Sequence, residues 1–326
     1  MEFFGKTNID FLGKRRIFFL LSLGFSIIGL TVTAIWGLEY GIDFEGGTEV
    51  AIEIRPAPDV GEIRAAIGSA GFRGAEIKSY GKPDQFLIRV KESAADQHGK
   101  EPTTAILEAL RTRFEGHTVT LLKSDKVGPK IGAEMRLNAL LAVIIAIIAI
   151  LLYIAFRFEF VYGLGATVAL VHDVIIAISA IAIVHHLGLL RIEVNQSVLA
   201  ALLTVVGFSI NDTVIIFDRI RENRERYKGM NLIKLMNLSI NETLSRTINT
   251  VLTTVLVLLS LLFLGGEVLQ GFAFTMLVGI ITGTYSSIFI ASAFVVWFMQ
   301  TVRKVDLETE YRRLKEAEQQ AATAQA

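Results

Sequence analysis

Cysteine is absent from all 326 residues. That excludes a disulfide framework and any cysteine-bound metal, though it leaves the compartment open. Net charge is absent as well, because 32 basic residues balance 32 acidic ones, so nothing in the charge points to nucleic acid. The first apolar run lacks the Ala-x-Ala site of a cleaved signal peptide. With 22 uncharged residues, 17–38, it is also too long for an h-region; it reads as a retained anchor. What the chain has in excess is apolar surface: 52% of residues are hydrophobic and mean hydropathy is +0.52. A soluble core of this size could not hide that much, and the residues cluster in long runs, which marks an integral membrane protein.

A bilayer core of ~30 Å takes about 20 residues of helix. Uncharged stretches of that size lie at 17–38, 137–156, 247–266 and 268–302, and two more, 160–184 and 194–217, are apolar except for Asp173 and Asp212. The last stretch is too long for one straight span, and Gly271, Gly279 and Gly283 offer places for it to bend or to begin along the interface. Six spans are therefore expected at 17–38, 137–156, 160–184, 194–217, 246–266 and 271–299.

Lysine and arginine counts in short flanks orient the bundle. Basic residues crowd the N-terminal segment 1–16 (Lys6, Lys14, Arg15, Arg16), the 218–245 segment (Arg219, Arg221, Arg224, Arg226, Lys228, Lys234) and the tail 303–326 (Arg303, Lys304, Arg312, Arg313, Lys315). The loop at 185–193 holds only Arg191, and 265–270 holds none. Six alternating spans put the three basic segments on one side. Both termini are expected to be cytoplasmic, with residues 39–136 outside.

That outer segment alternates strand and helix signals. Val50, Ile52 and Ile54 alternate along a strand at 48–55, and a helix at 59–69 enters through Pro58-Asp59. Strands at 75–80 and 85–91 flank a turn holding Gly81 and Pro83, an amphipathic helix runs over 102–114, and a last strand covers 117–123. The order β-α-β-β-α-β predicts an extracytoplasmic α+β ferredoxin-like domain. The expected whole is an integral membrane α-helical bundle of six spans carrying that domain, with no bound metal or cofactor.

Charges inside spans are the main candidates for function, since each costs on the order of 2.5–3.5 kcal/mol. Asp212 precedes Asp218 by six residues, roughly 9 Å of helix, and Arg246 follows Glu242 by four, roughly 6 Å. The two can meet at similar depth on adjacent spans. Thr250 and Thr253 share a face with Arg246, and Asn249 lies beside them, a polar stripe that suits a protein seam or a water-filled path. Asp173 sits nearer mid-membrane on a face of small residues, Ala166, Ala169, Ala177 and Ala180, which fits helix packing as well as proton transfer. His172 is expected to point elsewhere. A packing hydrogen bond is the bland alternative for both aspartates.

Enzyme motifs fail on inspection. Gly207-Phe208-Ser209 has no histidine on a later span to serve as base, and Gly163-Leu164-Gly165 is followed by Ala166 where an intramembrane aspartyl protease needs aspartate. The glycine-rich 41–48 stretch has no lysine and no following helix to hold phosphate.

Several segments resemble the SecF family, the smaller partner of SecD in bacterial protein export. They are Phe11-Leu12-Gly13-Lys14-Arg15-Arg16, Gly41-Ile42-Asp43-Phe44-Glu45-Gly46-Gly47-Thr48, and Val127-Gly128-Pro129 with Gly132. To these add Val171-His172-Asp173, the run from Ser209, Asn211, Asp212 and Thr213 to Asn223, and Ser245-Arg246-Thr247-Ile248-Asn249-Thr250. The resemblance spans about residues 10 to 304. It implies an accessory subunit of the inner membrane, six of the twelve spans of a resistance-nodulation-division assembly. The proton-motive force would drive it to complete preprotein export. It implies a proton relay on Asp212 and Arg246, with Asp173 beside them, and a further carboxylate on SecD. Asn211, Thr213, Asn249, Thr250, Asp43, Gly46 and Gly47 are supporting motif positions. Implied partners are SecD, the SecYEG channel, YajC, YidC, preproteins and membrane lipid. The competing reading is a half-transporter for small molecules or lipids, for which a single outer domain of this size leaves little room; a third is a pure scaffold.

Overall fold

The computed structural model describes residues 7–91 and 101–307, with 309, 311 and 316. Lys6, Arg312, Arg313 and Lys315 of the charge count lie outside the described residues. Among those described, six helices are long and apolar enough to cross a membrane.

Helix α1 (Arg15–Trp36) ends at Gly37, whose φ of +80° turns the chain out of the bundle. A single helical turn, α2 (Ile42–Glu45), leads into β1 (Gly47–Arg55). Helix α3 (Val60–Ser69) is capped by Asp59, whose carboxylate accepts from the Gly61 amide at 2.6 Å. Strands β2 (Glu76–Tyr80) and β3 (Lys82–Val90), helix α4 (Pro102–Arg113) and strand β4 (Thr118–Val127) complete the domain. The sheet order is β2-β3-β1-β4, antiparallel throughout, as the ferredoxin-like arrangement requires. Alternation along β1 sends Val50, Ile52 and Ile54 into a core with Ile63, Ile67, Ile106 and Leu110, while Glu49 and Glu53 point from the other face.

Three local expectations change. The turn between β2 and β3 narrows to Gly81 (φ +81°), and Pro83 lies within β3. Strand β4 runs four residues past 123, because β1 offers partners as far as Gly47, which pairs with Val127. The glycine-rich 41–48 stretch, too short to show periodicity, contains α2.

The remaining spans are α5 (Pro129–Arg157), α6 (Phe160–His186), α7 (Gln196–Arg226), α8 (Leu232–Leu264) and α9 (Gly266–Ser286), which continues through a π-helical turn at Ser287–Ala291 into α10 (Ser292–Thr301). Helices outlast the apolar stretches that mark them: α5 begins at Pro129, and α7 and α8 carry most of the 218–245 segment. Helix α8 is capped by Asn231, which accepts from the Ile233 amide at 2.9 Å.

Helix α9 runs without interruption through Gly271, Gly279 and Gly283. They are contact points, where an added Cβ would press on Val198, Val205 and Ser209 of α7. The irregularity falls instead at the π-turn, where the Ser292 hydroxyl donates to the Ser287 carbonyl five residues back, at 3.0 Å. Helix α1 packs on α6 with Gly29 against Ser179, and its Ser22 hydroxyl donates to the Tyr285 hydroxyl of α9 at 2.8 Å. Helices α6, α7 and α9 thus form the centre, while α1, α5 and α8 turn large apolar side chains outward. Phe156 is 91% exposed, a cost no soluble surface would carry along whole helices.

Candidate functional site: buried carboxylates and the domain joint

Two carboxylates lie in the central helices. Asp173 on α6 is 1% exposed. Its Oδ2 accepts from the hydroxyls of Ser209 on α7 (2.6 Å) and Ser286 on α9 (2.8 Å), and His172 Nδ1 lies 3.1 Å from its Oδ1. His172 therefore does not point elsewhere. As immediate neighbours in the chain, the two side chains reach each other despite the helical rotation between their positions. Asp173 joins three helices with both oxygens engaged, an arrangement that offsets the burial of a polar group.

Asp212 on α7 is 2% exposed and less fully served. Thr284 Oγ1 on α9 lies 3.2 Å from its Oδ2 but also 3.1 Å from the Ile280 carbonyl, so one hydroxyl proton faces two acceptors. Arg246 on α8 makes no hydrogen bond or ion pair among the described residues; its side chain is exposed, and its charge reaches Asp212 through space. The structure brings the pair into electrostatic range without contact. Thr284 was missed in the sequence, since it lies on a span with no charge to draw attention to it.

Next to Asp212, Thr213 shares a hydrogen bond with Ser287 at 2.8 Å across the π-turn, while Asn211 faces out of the bundle. The hydroxyls of Thr250 and Thr253 bond back to carbonyls of their own helix, at Arg246 and Asn249 (both 3.0 Å). Asn249 lies half-buried beside them.

The glycine-rich motif positions the outer domain. Gly46 (φ +83°) abuts Pro129 at the start of α5, and Gly132 of α5 lies against the Gly46 amide, so a side chain at either would separate domain and span. Asp43 Oδ2 accepts from the Gln196 amide at the N-terminus of α7, at 2.9 Å. The Gly41 amide donates to the Val194 carbonyl (3.0 Å), and the Val194 amide to the Glu39 carbonyl (2.8 Å). The domain is thereby fixed to the segment that leads into the helix carrying Asp212.

A charged cluster, unforeseen in the sequence, tightens this joint. Glu193 is bonded by Lys78 of β2 (3.1 Å) and by Arg89 of β3; Lys78 also pairs with Glu76 (2.8 Å) and Arg89 with Glu49. Two cations face three carboxylates, a net charge of −1, so the cluster has a place for one proton. Burial pushes the Glu193 carboxyl up to about 7, reinforced by its hydrogen bond with Glu76. Burial also opposes ionisation of Glu76, but its bonds to Glu193 and Lys78 prevail and hold it down to about 2. The added proton thus resides on Glu193. None of them lies in an apolar run of spanning length or in a motif, and their partners are up to 115 positions away, which is why sequence reading passes over them.

Six spans around two buried carboxylates, with a ferredoxin-like domain inserted after the first, define a polytopic membrane protein. Residues 106–301 match the family described as protein export membrane protein SecD/SecF, C-terminal. Relatives include the protein translocase subunits SecF of Gemmatimonas aurantiaca (38% identical over 330 residues, 99% of this chain and 97% of that one) and Calditerrivibrio nitroreducens (41% over 300 residues, 91% and 96%). Among solved structures, SecDF of Thermus thermophilus, a translocon-associated membrane protein, is 38% identical with a TM-score of 0.75; the match covers 90% of this chain but 39% of that one. The chain belongs to the SecF family.

Proposed function

We propose that the chain, an accessory subunit of the Sec protein translocase, works with a SecD partner to draw on the proton-motive force in completing preprotein export. It stands for the part of a SecDF chain that it matches, so the remaining spans and the further carboxylate come from SecD. In this reading it is a non-catalytic subunit that needs no cofactor, lies in the bacterial inner membrane with both termini cytoplasmic, and meets the SecYEG channel, YajC and YidC. The relatives favour this over a half-transporter for small molecules.

The observation that carries the reading is Asp212, a buried carboxylate with half a hydroxyl donor and a guanidinium within electrostatic range. Asp173, tied on both oxygens, suits a framework role beside it. When Arg246 approaches, the ionised acid is favoured; when it withdraws, the proton returns. One charge crossing the membrane is worth ~2.3 kcal/mol per 100 mV. Asp43 and the Glu193 cluster, anchored at the head of α7, would pass motion of that helix to the outer domain. The test is reconstitution with a SecD chain and SecYEG. A proton gradient should speed release of a preprotein stalled late in transit, and failure of SecD to co-purify, or indifference to the gradient, would overturn the reading.

A further inference from the structure

At the basic end of the bundle a cavity of about 330 Å³ lies between the α5–α6 turn and α7. Arg157, Arg221 and Arg224 line it, with Phe158, Glu159 and Tyr162. Ion pairs already occupy part of this charge: Arg224 lies 2.7 Å from Glu159, Arg303 reaches the same carboxylate at 3.6 Å, and Arg157 lies 3.6 Å from Asp218. Four arginines against two carboxylates leave a charge of +2, and Arg221 has no ion pair or hydrogen bond among the described residues.

Tyr162 adds an independent sign. It is 6% exposed and fixed edge-on against Phe217, with ring centroids 4.9 Å apart, yet its hydroxyl has no hydrogen-bond partner among the described residues. It stands within electrostatic reach of Arg224, Glu159 and Arg303. The ring is buried while the hydroxyl itself stays open to the cavity it lines. A donor left open beside excess positive charge, in a concave site, is arranged for an anion.

We propose that this cavity binds the phosphodiester of an anionic phospholipid headgroup. Its place decides between lipid and free phosphate. Phe156 and Phe160, 91% and 60% exposed, flank the α5–α6 turn, so the cavity opens where acyl chains meet the polar boundary. The phosphodiester presents two anionic oxygens, which accept from the Tyr162 hydroxyl and from the guanidinium groups around it. A choline headgroup would add a cation to a site that already has two in excess, whereas phosphatidylglycerol and cardiolipin add none. This assignment is independent of the proton relay.

The test is native mass spectrometry of the purified full-length chain, titrated with phosphatidylglycerol, cardiolipin or phosphatidylcholine. The anionic lipids should be retained over phosphatidylcholine, and millimolar inorganic phosphate should not displace them. Arg221→Gln should weaken retention by about fivefold, the contribution of one surface arginine, and Tyr162→Phe by roughly threefold through loss of one hydrogen bond. Should Arg221→Gln fail to fold, Arg221→Lys replaces it and should keep most of the retention while Tyr162→Phe still lowers it. Equal retention of phosphatidylcholine, or variants that bind like wild type, would overturn the site. Displacement by free phosphate would overturn the lipid and leave an inorganic-anion site.

Discussion

Lys78 on β2 and Glu193 at the head of α7, 115 positions apart in the chain, meet at 3.1 Å with side chains 10% and 6% exposed. This is where the soluble domain grips the membrane bundle, and the grip titrates. Glu193 has a carboxyl raised to about 7 by burial and by Glu76, so the docked joint binds a proton more tightly than the open one. Its contribution is therefore complete at pH values below the ordinary carboxyl range and is lost as pH rises toward and through about 7. Glu76, held down to about 2, stays ionised across this window and does not offset the change.

Hydrogen exchange over 76–90 and 187–195, corrected for intrinsic rates, should accordingly quicken between pH 6 and 8. Glu193→Gln, neutral at every pH, should abolish that dependence. A wild-type joint whose protection is flat across the window would contradict the assignment.

Gly279 lies where α9 crosses α7, and an added Cβ would overlap the isopropyl group of Val205. Gly279→Ala should lower the unfolding free energy of the chain by ~1–3 kcal/mol through overpacking. Gly24→Ala on α1, where an added Cβ meets nothing within 4 Å, should have little effect. Thermal unfolding in detergent reads both, and equal melting of the two variants would show that the crossing is looser than described.

Asp173 and Asp212 should part company on substitution. Asp173→Ala leaves Ser209 without its acceptor, since no other bond of that hydroxyl is found among the described residues, and should cost about 1–3 kcal/mol of stability. Ser286→Ala should cost less, because Ser209 still engages the carboxylate. Asp212→Asn keeps an acceptor for Thr284 and should melt like wild type. Reversed melting orders would exchange the framework and functional roles of the two aspartates.

Orientation is open to chemical labelling because the chain has no cysteine of its own. A membrane-impermeant thiol reagent applied to intact spheroplasts should modify Asp84→Cys on β3 and spare Lys228→Cys beyond α7. The opposite pattern would invert the topology.

The fold was legible where one period dominates. Apolar runs located six spans, and the alternation of Val50, Ile52 and Ile54 located the central strand of the sheet. What escaped depends on contacts between distant segments. Strand β4 takes its length from β1, and the glycines of the last span serve Val205 and Ser209 on another helix. At the candidate site the charges stood out because an apolar helix makes any carboxylate conspicuous. Thr284, Ser286 and the turned imidazole of His172 did not, since hydroxyls are common in spans and only packing decides which of them face an acid. Glu193, Lys78 and Arg89 look like ordinary surface charges until the domain docks.

The central claim is that protonation of Asp212 couples the proton gradient to export. The most direct measurement is the rate at which a stalled preprotein completes translocation in proteoliposomes holding this chain, SecD and SecYEG, with and without an imposed gradient. Wild type should accelerate under the gradient. Asp212→Asn, present in equal amount and still bound to SecD, should run at its gradient-free rate in both conditions. Acceleration of the Asn variant to the wild-type rate would contradict the account and leave Asp212 a packing residue.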